Sequence, residues 1–176
     1  VVGYTMATVA GDEITEALMR ACLVDYHTAE RIKMQLGKGA PISFEDVVGV
    51  EQSCSDEEIF SMIEPEVQRL ADEIARRVLE LNERPPSALF LAGGGSKLAG
   101  LSGRVADALQ MDRKRVAVAG RYFQNSACSD IQDLDDPEYT TPLGIAVSAG
   151  LGLISDSYRV VLNGKPAKLF RSGSVT

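Results

Sequence analysis

The sequence predicts an α/β fold in which a sheet is flanked by helices, with a β-hairpin at the C-terminal end. Three observations predict it. Ala88 to Ala92 (ALFLA) is a short apolar run before three glycines, the pattern of a strand covered on both faces by helices. Ser55 to Leu81 carries apolar residues at spacings of three and four, the period of a long amphipathic helix. Asn163-Gly164 separates Tyr158 to Leu162 from Lys165 to Phe170, and an Asn-Gly pair so placed signals a hairpin because both residues tolerate positive φ.

Taken in order, Val1 to Val9 alternates and is β-branched enough for a strand, which Ala10-Gly11-Asp12 breaks with a glycine and a good N-cap residue. A helix follows from Glu13 to about Val24, with Ile14, Leu18, Cys22 and Leu23 on one face. His27-Thr28-Ala29 reads as an interruption, and Glu30 to Leu36 as a second short helix that stops at Gly37. Residues 38–54 are polar and contain glycines; they read as a subdomain insertion or linker with room for short strands at Ile42 to Phe44 and Val47 to Val50. Ser55 and Glu58 form an S-x-x-E capping box that opens the long helix. Its predicted buried face is Ile59, Met62, Ile63, Val67, Leu70, Ile74, Val78 and Leu81. Pro65 predicts a kink near Met62 to Glu64, and Arg84-Pro85-Pro86 ends the element. Leu101 to Leu109 reads as a helix, Arg115 to Ala119 as a strand and Arg121 to Tyr139 as a polar, acidic loop. Thr141-Pro142 reads as an N-cap and first helical residue, opening a helix to about Ile154. Residues 1–155 then form one domain, and residues 156–176 a hairpin extension or the start of a further domain.

Composition narrows the function classes. Lys and Arg total 18 against 25 Asp and Glu, a net charge of −7, and 45% of residues are hydrophobic. A disordered chain is poorer in aliphatics, and an acidic chain has no basic stripe to displace counterions from nucleic acid. The longest nearly apolar stretch, Leu143 to Ile154, falls short of the roughly 20 residues that span a bilayer. The first ten residues lack the positive region of a secretory signal. Cys22, Cys54 and Cys128 are odd in number and far apart, so neither a disulfide framework nor a zinc site is implied, and a reduced, cytoplasmic chain is expected. Val1 lies in an expected strand with no initiator Met before it, which predicts a piece of a longer protein.

Few residues offer chemistry. Gly93-Gly94-Gly95-Ser96-Lys97 follows a strand and precedes a helix, where bare backbone admits a ligand closely. The same turn also serves plain strand-to-helix geometry, and it matches neither the dinucleotide fingerprint nor the Walker loop. Glu30 and Lys33 lie three apart on one helical face, so the carboxylate can accept from paired ribose hydroxyls while the ammonium lies beside a base or phosphate; the alternative is a solvated surface pair. His27 is the one histidine and has no neighbouring Ser or Cys motif for nucleophilic catalysis. Asp130, Asp133, Asp135, Asp136 and Glu138 crowd one loop without the spacing of a calcium site.

Four stretches in fixed order carry a resemblance: Gly11-Asp12-Glu13-Ile14-Thr15, Ala29-Glu30-Arg31-Ile32-Lys33, Ile63-Glu64-Pro65-Glu66-Val67, and Leu91 to Leu101 with its three glycines. Together with Asp136-Pro137-Glu138-Tyr139 and Pro142 to Ala146, they resemble the second domain of an actin-like (ribonuclease H-like) ATPase. The closest pattern is that of the bacterial cell-division protein FtsA and the pilus-assembly protein PilM, over about Val1 to Ser155. The resemblance implies two α/β domains facing each other across an ATP cleft, with ATP or ADP and magnesium bound in the full-length parent. It places Glu30 and Lys33 at ribose and base, Gly93, Gly94 and Gly95 on the adenosine-binding turn, and Lys97 where related chaperones carry an Arg beside adenine. Lys lacks the planar group that stacks on a base. The family's D-x-G phosphate loops do not occur in this sequence, so the chain by itself is expected not to hydrolyse ATP. Implied partners are ATP, the protein's own N-terminal domain, and a self-polymer or a membrane-associated assembly; nucleic acid and direct membrane insertion are not expected. A non-catalytic actin-fold scaffold and an ATP-dependent reactivating chaperone are the alternative readings.

Overall fold

The computed structural model describes residues 3–118, 136–141, 144, 161–162 and 165–166. It is mixed α/β, with four helices and three two-stranded sheets among the described residues. The chain divides into two compact units, Val1–Leu89 with Leu98–Ala117, and Phe90–Lys97 with Val118–Thr176.

In the first unit, α1 spans Gly11–Cys22 and α2 spans Tyr26–Gln35. The strand expected over Val1 to Val9 is not formed across its described part, residues 3–9. Tyr4 and Met6 are strongly exposed there, and a strand persists only where its backbone groups find a ladder partner. α1 starts at Gly11, ahead of the expected Glu13: Ala10 has no side-chain acceptor, but its N–H donates to Glu13 Oε2 at 2.7 Å. α2 starts four residues earlier than expected. Asp25 Oδ1 accepts from the Thr28 N–H at 2.7 Å, so His27-Thr28-Ala29 forms the first turn instead of interrupting the helix.

Strands β1 (Ile42–Glu45) and β2 (Glu51–Cys54) pair antiparallel, with Glu45 opposite Glu51 and Ile42 opposite Cys54. β1 turns Ile42 and Phe44 inward. Val47 to Val50, expected as a strand, is the turn, because Asp46 Oδ1 accepts from the Val48 and Val50 N–H groups at 3.0 Å each. The Val47 N–H donates to Leu23 O at 2.8 Å and fastens this turn to the end of α1.

Helix α3 runs from Asp56 to Asn82 behind the capping box: Ser55 Oγ accepts from the Glu58 N–H at 3.2 Å, and the Ser55 N–H donates to Glu58 Oε2 at 2.8 Å. The helix continues through Pro65. Ile59, Ile63, Val67 and Leu70 are buried as expected. Met62 and Leu81 are instead 43% and 42% exposed, and Ala71 and Ala75 are buried. Small residues let neighbouring helices approach, so the interface on α3 is set by closeness as well as by apolarity. Helix α4 (Leu101–Ala108) packs on α3. Arg104 of α4 donates to Glu64 Oε1 at 2.7 Å and Gln68 Oε1 at 3.0 Å and lies over the Phe60 ring, 5.4 Å from its centroid. α1 packs on both α2 and α3. Ile14, Leu18, Ile32, Ile42, Ile59 and Ile63 are fully buried in the resulting core.

Strands β3 (Leu89–Leu91) and β4 (Val116–Val118) pair, and the division between the units passes through both. β3 was expected to be covered on both faces, yet Phe90 is 52% exposed. β4 starts one residue later than expected because Arg113–Arg115 forms a 3-10 turn whose start is capped by Asp112 Oδ1; Ala119 lies outside the described residues.

In the second unit, Gly94–Lys97 and Pro137–Tyr139 are 3-10 turns. Thr140 and Thr141 are already helical, so the helix expected to start at Pro142 begins earlier; the Thr140 hydroxyl donates to Pro137 O at 2.7 Å, joining it to the preceding turn. Gly144 is helical too. β5 (Val161–Leu162) and β6 (Lys165–Pro166) pair antiparallel, as the hairpin expectation requires. Asn163-Gly164, Cys128, the expected loop from Arg121 through Asp135, and the remainder of the expected helix to Ile154 lie outside the described residues.

Candidate functional site

Glu30 and Lys33 belong to the first unit, Gly93 to Lys97 to the second. In the first unit, α1 and α2 meet along a face that brings Gly11 and Thr15, one turn apart, opposite Glu30 and Lys33. Lys33 Nζ donates to Thr15 Oγ1 at 2.7 Å and to Gly11 O at 3.2 Å, and forms a close ion pair with Glu30 Oε1. Three acceptors thus take the three N–H groups of the ammonium. Thr15 is fully buried, and its hydroxyl also meets Glu30 Oε1. A hydroxyl has one hydrogen, and an ionised carboxylate outcompetes a peptide carbonyl for it, so Thr15 accepts from Lys33 and donates to Glu30. The Lys33 and Glu30 side chains are 20% and 30% exposed, so this is a partly buried network tied into α1 rather than a freely solvated pair. Burial pushes the Glu30 carboxyl up, but the hydrogen bonds from Lys33 and Thr15 and the Lys33 charge outweigh it and hold the group below its usual range. Glu30 is therefore ionised at neutral pH, with both donors on Oε1.

In the second unit, Gly93 adopts φ 86°, a conformation that favours glycine. Its N–H donates to Pro137 O at 3.0 Å, and its carbonyl accepts from the buried Ser96 hydroxyl at 2.7 Å and the Ser96 N–H at 3.1 Å. Gly94 and Gly95 are exposed. Among the described residues a Cβ at Gly94 would meet only Glu138 Cβ, at 3.9 Å, and one at Gly95 would meet nothing within 4 Å. Among the described residues, neither packing nor φ demands that these two positions be bare. Lys97 Nζ reaches Asp136 Oδ2 at 2.6 Å and Glu138 Oε2 at 3.3 Å. The Asp136 hydrogen bond foremost, with Glu138 adding to it, raises the Lys97 ammonium above its usual range. Burial pushes Asp136 up, but Lys97 and the Glu138 N–H prevail and hold it low.

The structure thus joins Glu30 to Lys33 and sets residues 136–138 against Gly93, Gly94 and Lys97. Sequence reasoning missed Thr15, although its signal was present: a hydroxyl on the apolar face of α1, four residues after Gly11 and beside Ile14 and Leu18. It also missed Asp136 and Glu138 as partners of Lys97, 39 and 41 positions away in sequence. His27 lies edge-on to Tyr26 with ring centroids 6.1 Å apart. Among the described residues there is no group of three His, Cys, Asp or Glu side chains able to hold a metal ion, and no helix long and apolar enough to cross a membrane. Compared with models of known protein families and with curated proteins, the chain matches none.

Proposed function

We propose that this chain is the nucleotide-binding half of an FtsA/PilM-like actin-fold protein, contributing the adenosine side of an ATP cleft. In the cytoplasm, the parent acts in cell division or in assembly of a membrane-associated complex. The observation that carries this reading is the glycine turn. Among the described residues, Gly94 and Gly95 leave open backbone where there is room for side chains, as a turn requires if a flat base is to lie against it. The Glu30 carboxylate supports it, being ionised and, among the described residues, having Oε2 left over for a pair of ribose hydroxyls. In the first unit, Glu30 and Lys33 would be the residues that meet ribose and base; in the second, Gly93, Gly94 and Gly95 would offer the adenosine turn, with Lys97 anchored by Asp136 and Glu138. Bound nucleotide supplies the link between two domains; magnesium and the phosphates fall to the parent's other residues. ATP that binds the closed form more tightly than the open one holds such a cleft shut and drives partner binding.

One observation favours a non-catalytic scaffold instead. Lys33 and Lys97 are already engaged inside the chain, which suits residues that only hold the fold together. Titrating the isotope-labelled chain with ATP, with and without magnesium, while following backbone amides by NMR separates the two. Saturable shifts at Gly93 to Gly95 and at Glu30 to Lys33 are expected. No shift at millimolar ATP, or shifts scattered over the surface, overturns nucleotide binding in favour of the scaffold.

A further inference from the structure

We infer that Thr15 is the positioning residue of the proposed nucleoside site: its buried hydroxyl clamps Glu30 Oε1 between itself and Lys33, so that Oε2 is the oxygen presented to a ligand's vicinal diol. This rests on the nucleotide reading given above and adds to it a residue that does not touch the ligand. A free glutamate on a helix surface rotates about three side-chain bonds and must be ordered when a ligand binds. Here the ordering is done in advance. Thr15 is fully buried on α1, a rigid element whose Gly11 carbonyl is 3.1 Å from the same hydroxyl and 3.2 Å from Lys33 Nζ. Both donors to Glu30 are thereby fixed to α1, and a carboxylate with one oxygen doubly engaged keeps only the two lone pairs of its other oxygen, enough for the two hydroxyls of a diol. Preorganisation of this kind strengthens binding by removing an ordering cost rather than by adding a contact.

Thr15→Val keeps the side-chain shape and deletes the hydroxyl, while Thr15→Ser keeps the hydroxyl and deletes a methyl group. Both variants are checked for helix content, and Glu30 is followed by carboxyl NMR titration without nucleotide. Loss of one hydrogen bond to a charged group predicts ATP binding roughly tenfold weaker in T15V, with recovery in T15S. The Glu30 midpoint is expected to rise in T15V and to return in T15S, a change that loss of packing alone would not produce. T15V that binds ATP as the wild type does, or that leaves the Glu30 midpoint where it was, overturns the role of Thr15. Wild-type chain that binds no ATP overturns the function proposed above, and the Glu30 titration, read without ligand, still decides whether Thr15 positions the carboxylate.

Discussion

Lys33→Met is the most informative single change in the first unit. It preserves an unbranched side chain of similar reach, so the packing of the stem on α1 is largely kept. What it removes is three donors, to Gly11 O, Thr15 Oγ1 and Glu30 Oε1. Breaking a fully buried ion pair costs about 3–5 kcal/mol, whereas an exposed pair contributes only about 0–1 kcal/mol. With side chains 20% and 30% exposed, water re-solvates part of what is freed, and the expected cost lies between these limits, about 2 kcal/mol. Urea unfolding followed by helical circular dichroism reads this as a lower midpoint at unchanged slope. The pH dependence has a defined sign. Folding lowers the Glu30 pKa, so the stability it contributes is present above its unfolded value of about 4.3 and is lost as pH falls through the lower folded value. The deficit of K33M relative to wild type should therefore shrink below about pH 4. A midpoint equal to wild type at neutral pH, or a deficit that is the same in acid, refutes the network as the tie between α1 and α2.

Two further outcomes are expected. Gly93→Ala places a Cβ on a residue at φ 86° and should cost about 1–2 kcal/mol in thermal unfolding, whereas Gly95→Ala meets open space and should leave the melting temperature nearly unchanged while weakening ATP binding; G95A that binds ATP normally means the bare backbone serves no ligand. Ile63→Ala removes a fully buried side chain of α3 and should cost about 2–5 kcal/mol, against about 0.5 kcal/mol or less for the exposed Met62→Ala; equal effects in urea unfolding would contradict the observed face of α3.

Much of the local structure was legible in the chain because its causes are local. The Ser55/Glu58 box, the spacing of Ile59, Ile63 and Val67, and the hairpin implied by Asn163-Gly164 each depend on residues within a few positions of one another, and the described elements follow them. Where a single side-chain hydrogen bond or a missing partner decides, the pattern misled. Asp25 turns an apparent interruption into the first turn of α2, and Asp46 turns an apparent strand into a bend. The alternating residues at the start of the chain make no strand in their described part, since pairing is a property of two segments. The candidate site divides along the same line. Glu30 and Lys33 were recognisable by their separation of three, and the glycines by composition. That Thr15 stands beneath Glu30, and that Asp136 and Glu138 hold Lys97, was decided only when chain segments 15 to 41 residues apart were folded against each other. Helical periodicity says which side of a helix is apolar; only the packing of one helix on another says which polar group that side will meet.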